Sequence, residues 1–315
     1  MDGCLSVEKR LMMPRRDRSQ MSFEAWIIAT GVLVGVSCGL IGTFLVLRSM
    51  VMLADAISHT VLLGIVGAFL VTGSLDGISM FIGAAATGLL TAFLVQLLHS
   101  KGVQSDAAIG VVFTSLFAIG VILLSVYGAN VHLDIEHSLM GEIAFVPWNT
   151  MTVFGVDIGP KAFWMLASVL VLNVVLISVC YKEFKIASFD PQMALALGIP
   201  VLLIHYVQMG MLSLTTVASF DSVGAVLVVA MLIVPPAAAH LLTDRLLYML
   251  ILSALIGGLS AVMGYFFATW LNVSISGAMA AMTGVCYASA FLFSPANGVI
   301  TKKLRTLNMQ KERAG

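Results

Sequence analysis

Asp55 and His59 stand four residues apart in the stretch Arg48-Ser-Met-Val-Met-Leu-Ala-Asp-Ala-Ile-Ser-His-Thr-Val-Leu-Leu-Gly64, inside an apolar run that continues to Val71. On a helix, positions i and i+4 share one face, so the carboxylate and the imidazole can grip the same object. Together they form a mixed hard and borderline donor set, compatible with manganese, iron or zinc. The same two groups also suit a proton relay, or a buried pair that only braces a helix bundle. If the helix lies in a membrane, an ionised Asp near its centre costs about 2.5–3.5 kcal/mol. A residue held at that cost marks a functional site.

The rest of the chain supplies the membrane. Of its 315 residues, 60% are hydrophobic and only 10% charged, and the mean hydropathy is +1.04. Soluble domains carry about 25% charged residues, so the fold class is all-α: a polytopic transmembrane helical bundle. The surrounding medium is a lipid bilayer, and no nucleic-acid partner is implied. Cys38, Cys180 and Cys286 fall inside apolar runs, and Cys4 sits in a polar leader, without metal-site or disulfide spacing.

About 20 apolar residues cross the hydrocarbon core. By that rule candidate spans cover about 24–47, 51–72, 77–98, 106–127, 161–180, 201–219, 223–243, 246–270 and 277–294, giving about eight or nine crossings. Gly31-x3-Gly35-x3-Gly39 and Gly83-x4-Gly88 suit close helix packing in lipid. Three regions follow: an N-terminal extension over 1–21, a membrane domain over 22–300, and a basic tail over 301–315. The extension reads as disordered or as the product of an upstream start, with Met21 opening a second plausible start.

Arg48, Lys101, Lys182, Lys185, Arg245 and the basic residues of the tail fall in alternate connections, and Lys161 lies opposite. The positive-inside rule puts those connections and the C-terminus in the cytoplasm. With nine spans the N-terminus is then external, against the basic charge of the leader. Arg48 becomes a cytoplasmic anchor, and Asp55 and His59 lie about 10 and 16 Å up the second span.

Two connections stand out. The external one at 128–160 carries His132, Asp134, Glu136, His137 and Glu142, and its stretch Leu139–Pro147 is apolar enough to dip back towards the membrane. Its acidic residues are either a solvated loop or a vestibule that concentrates cations. In the cytoplasmic connection at 181–200, Asp190 can cap a short helix with Pro191 at its first position, and Gly198 and Pro200 stop it. Such a helix is a surface linker or a grip for a soluble partner.

At this point the sequence resembles the metal-ion permeases of ATP-binding-cassette importers, those for manganese, zinc or iron. Asp55-Ala-Ile-Ser-His59-Thr-Val-Leu-Leu-Gly64 after Leu47-Arg48 resembles their signature. Asp106-Ala-Ala-Ile-Gly110, Ser188-Phe-Asp-Pro191 with Ala196-Leu-Gly198, and Ser219-Phe-Asp-Ser-Val-Gly224 leading to Val234-Pro-Pro-Ala237 agree in order and position. The resemblance implies a type II importer-like permease in the bacterial plasma membrane, working as a homodimer or with a related permease. It implies two cytoplasmic ATP-binding subunits, docked on a coupling helix around Phe189, Asp190, Pro191 and Gly198, and an extracellular metal-binding lipoprotein. Asp55 and His59 would contact the metal in the translocation path, and the metal would be cargo, with no cofactor. Manganese is favoured slightly by the acidic loop. Two departures matter: Leu63 stands where the family usually has proline, and Asp221 where glutamine is common, in a position to cap the seventh span.

Other residues read more plainly. His205 and His240 fit interfacial histidines better than ligands, Asp106 a helix N-cap, and the nineteen methionines lipid-facing packing. No Gly-x4-Gly-Lys-Ser/Thr phosphate loop occurs, so this chain reads as a conduit and not as an enzyme. The alternatives are a proton-coupled secondary metal transporter and a permease for siderophores or other metal chelates.

Overall fold

Long apolar stretches satisfy their backbone within themselves by coiling, the solution a bilayer imposes on a single segment. The computed structural model describes residues 19–73, 77–127, 143–153 and 156–294. In chain order the helices are α1 (Ser19–Leu47), α2 (Met52–Thr72), α3 (Gly77–Ser100), α4 (Ser105–Tyr127), α5 (Lys161–Val179), α6 (Tyr181–Phe189), α7 (Pro191–Ala196), α8 (Val201–Val223), α9 (Ala225–Leu242), α10 (Leu246–Leu271) and α11 (Ile275–Phe293). Among the described residues nine of these, all but α6 and α7, are long and apolar enough to cross a membrane. The extension up to residue 18 and the tail from residue 301 lie outside the described residues.

The spanning helices form two groups. α1 packs with α9 and α10, and α11 packs on those two, whereas α2 packs with α3 and α4. α8 touches both groups, and α5 lies against α1 and α8. The α1–α10 crossing is close. A Cβ on Gly35 would stand 2.5 Å from the Gly257 carbonyl oxygen, so neither helix tolerates a side chain there. Ser253 Oγ donates to the Gly39 carbonyl at 2.8 Å in the same crossing. In the other group, α2 and α3 approach backbone to backbone at Gly64 and Gly83. Both glycine patterns singled out in the sequence therefore sit at helix crossings.

The external connection contains more order than its composition suggested. A short 3-10 helix, Ile143–Trp148, buries Ile143 and Val146, so this part of the apolar stretch does fold back into the bundle. A two-stranded antiparallel hairpin follows, β1 (Thr150–Val153) and β2 (Val156–Pro160). Gly159, at φ +105°, presses its bare Cα against the Trp26 ring of α1.

Two capping expectations need correction. Asp106 is the second residue of α4, which starts at Ser105, so it faces the helix dipole from within the first turn and is not the cap. Asp221 lies inside the last turn of α8, and the residue that precedes α9 is Gly224, at φ +81°. The backbone break between these helices comes three residues later than a capping Asp221 would require. At Leu63 the absence of proline leaves α2 unbroken from Met52 to Thr72.

Candidate metal path

Seven of the nine residues from Leu53 to Val61 are buried, and the two that are not are Asp55 and His59. α3 and α4 hold the rest of the helix. Thr91 Oγ1 of α3 donates to Thr60 Oγ1 at 2.9 Å, and Gly120 of α4 lets that helix close on the Leu63 backbone. What remains open is one stripe, running from exposed Met52 through Asp55 to His59. The His59 side chain is 35% exposed and that of Asp55 47%, which leaves both available to a third party.

The pair is nearly joined. His59 Nε2 lies 3.6 Å from Asp55 Oδ1, beyond a good hydrogen bond and close enough for both to bind one ion. Two rings of α4 fix the imidazole from the side: Phe113 at 5.4 Å between centroids and Phe117 at 5.9 Å, edge to face. Ser58 Oγ donates to the Asp55 backbone carbonyl at 2.7 Å and leaves the carboxylate free. Among the described residues no group of three or more His, Cys, Asp or Glu is placed to hold a metal ion. Among the described residues one chain thus offers two protein donors here, a weak site by metal-binding standards.

The connection at 181–200 forms as its sequence suggested. Asp190 caps α7, its carboxylate accepting from Met193 N–H at 2.9 Å, and Pro191 takes the first helical position. Gly198 ends the segment at φ +77°. Phe189, Met193, Leu195 and Leu197 are each more than half exposed, an apolar surface at the basic end of the bundle. The preceding helix α6 was not read from the sequence; it is amphipathic, with Phe184 and Ala187 fully buried beneath it. His132, Asp134, Glu136 and His137 lie outside the described residues.

Sequence reasoning also missed the role of Arg48. Its guanidinium reaches back under α6, donating from Nη2 to the Ala187 carbonyl at 3.2 Å, with Nη1 3.2 Å from His205 Nδ1. Burial holds it below the ordinary arginine pKa, though an arginine remains charged. His205, near the start of α8, is buried, and His240 is exposed. A lone Arg at a helix end, as a sequence, looks the same whether it anchors in lipid headgroups or turns inward.

The model of the ABC 3 transport family matches residues 20–296, nearly the whole bundle. The chain belongs to that family. It is 99% identical over 295 residues, 94% of this chain and 100% of the relative, to the manganese transport system membrane protein MntD of Bacillus subtilis (strain 168). It is 45% identical over 285 residues, 90% of this chain and 77% of the relative, to the zinc transport system membrane protein TroD of Treponema pallidum (strain Nichols). Among solved structures, PsaBC from Streptococcus pneumoniae in complex with Fab matches with a TM-score of 0.73 at 32% identity, over 89% of this chain and 95% of that one. As a member of the ABC 3 transport family with nine apolar helices, the chain is a multi-pass permease of the bacterial plasma membrane.

Proposed function

We propose that this chain is the permease subunit of an ATP-driven importer of divalent transition metals, with manganese as its principal cargo and Asp55 and His59 as a contact in the path. One observation carries the reading: the half-exposed pair sits on the open stripe of the otherwise buried first half of α2. Ionisable groups within membrane helices face a bundle interior or a water-filled cavity, because hydrocarbon penalises them. The stripe therefore faces a second permease subunit across a path, and a symmetric copy supplies two further ligands. Four weakly held donors bind an ion long enough to pass it on.

The remaining parts follow the same logic. Two ATP-binding subunits dock on the apolar surface of Phe189, Met193, Leu195 and Leu197, organised by Asp190, Pro191 and Gly198. This chain supplies the conduit and those subunits the hydrolysis. An extracellular metal-binding lipoprotein delivers the ion, and the charge of His132, Asp134, Glu136 and His137 supports a cation-attracting mouth. Manganese is preferred to zinc or iron because of the near-identity to a manganese transport protein; the donor set alone suits all three.

The test is uptake of radiolabelled manganese and zinc in cells that carry permease, ATP-binding subunits and binding protein together. The Asp55→Ala, His59→Ala double variant should lose about tenfold or more, the equivalent of one charge-assisted contact. Equal uptake by the double variant, at equal membrane abundance, overturns the assignment of the path.

A further inference from the structure

One side chain ties the elbow before α2 to both stems of the α7 segment. Ala187, which accepts from Arg48 Nη2, belongs to α6, the helix that leads into that segment. His205, beside Nη1, belongs to α8, the helix that leads out of it. A planar fork of donors can hold two partners in different directions, which a lysine ammonium on its single stem does less well. The Phe184 ring of α6 also meets Phe44 of α1 edge to face at 5.4 Å, so the junction is packed as well as bonded.

The junction is also under-satisfied. Gln208, 5% exposed and one turn along α8 from His205, makes no side-chain hydrogen bond from either Oε1 or Nε2 among the described residues. Arg48 Nε and His205 Nε2 are likewise buried without partners there. Buried polar groups are bonded as a rule, so an unmet pair needs a physical reason. Arg48 and Gln208 line one small cavity with Phe44, Leu45 and Met50. The guanidinium's own charge disfavours a metal ion in it. Gln208 is instead a second acceptor waiting within the space that Arg48 already borders.

The elbow itself is a sharp turn. Ser49 takes the left-handed conformation at φ +56°, and α1 and α2 diverge from it into different helix groups. Asp55 lies in the first turn of α2, three residues beyond Met52 and about 4–5 Å along its axis. We propose that Arg48 is a positioning residue that couples the α7 segment to the Asp55–His59 pair, exchanging its hold on Ala187 and His205 for Gln208 as the segment shifts. This rests on the reading of the pair as a metal contact and of the segment as the docking site. A shift of α6 and α8 then reaches α2 through one side chain, with no need to deform either helix.

The test uses the complete transporter in proteoliposomes and reads ATP hydrolysed per manganese ion delivered. Arg48→Lys and Gln208→Leu should each assemble with the ATP-binding subunits and raise that ratio about tenfold, inside the 5–150-fold range of coupling free energies. A purely structural loss would lower uptake and hydrolysis in parallel and leave the ratio unchanged, which overturns the proposal. Gln208→Leu leaves the present Arg48 contacts intact, so if Arg48→Lys fails to assemble, a wild-type ratio in Gln208→Leu still overturns it. Failure of the unaltered transporter to accumulate manganese with ATP would instead remove the underlying functional reading.

Discussion

His59 Nε2 stands 3.6 Å from Asp55 Oδ1 on the stripe that its neighbours leave uncovered in the first half of α2. The spacing keeps the two groups apart enough that neither satisfies the other. If the pair contacts the metal as proposed, an arriving ion would gain two donors without first breaking a strong bond, which suits transit more than storage.

Donor softness makes the pair testable by exchange. His59→Cys replaces a borderline nitrogen with a soft thiolate, which prefers zinc to manganese. The zinc-to-manganese uptake ratio in the assembled transporter should rise about tenfold, one power of ten for each 1.4 kcal/mol of differential affinity. An unchanged ratio would show that His59 does not touch the metal.

The α1–α10 crossing predicts a stability effect remote from the path. Gly35→Val places a branched side chain where a Cβ alone meets the Gly257 carbonyl oxygen at 2.5 Å. Overpacking of this kind costs about 1–3 kcal/mol. The apparent melting temperature of the purified permease in detergent should fall, and by more than for Gly67→Val, where a Cβ meets open space. Equal melting of the two variants would mean the helices do not cross there.

Asp190 offers a separable test of docking. Asp190→Ala removes the acceptor for Met193 N–H and costs the short helix about 1 kcal/mol. Asp190→Asn keeps an oxygen in place. Co-purification with the ATP-binding subunit should weaken for the first and survive for the second. If both variants retain the subunit equally, the cap plays no part in docking.

Much of this was legible in the chain. The nine spans could be read within a few residues because crossing hydrocarbon is a matter of length and composition. The α7 segment was legible because its signals are local: a capping Asp, a proline after it, and a glycine at the far end. The Arg48 contacts were not, since their partners lie 139 and 157 residues away and no local pattern encodes them. Asp106 and Asp221 misled for a related reason. A carboxylate near a helix end is legible, but which side of the boundary it falls on depends on backbone turns that Ser105 and Gly224 settle.

The glycine crossing has a consequence for how the protein is made. Ser253 and Gly39 bond across 214 residues of sequence. At a synthesis rate of ~5–20 residues per second, the first helix waits about 10–40 s for the partner that covers its glycine face. During that interval the face lies against lipid or a chaperone, its small residues shielded by neither side chains nor a neighbour. Completion of this crossing therefore waits on the end of the chain: one truncated before the eighth crossing leaves the Gly35–Gly39 face of its first helix without its partner.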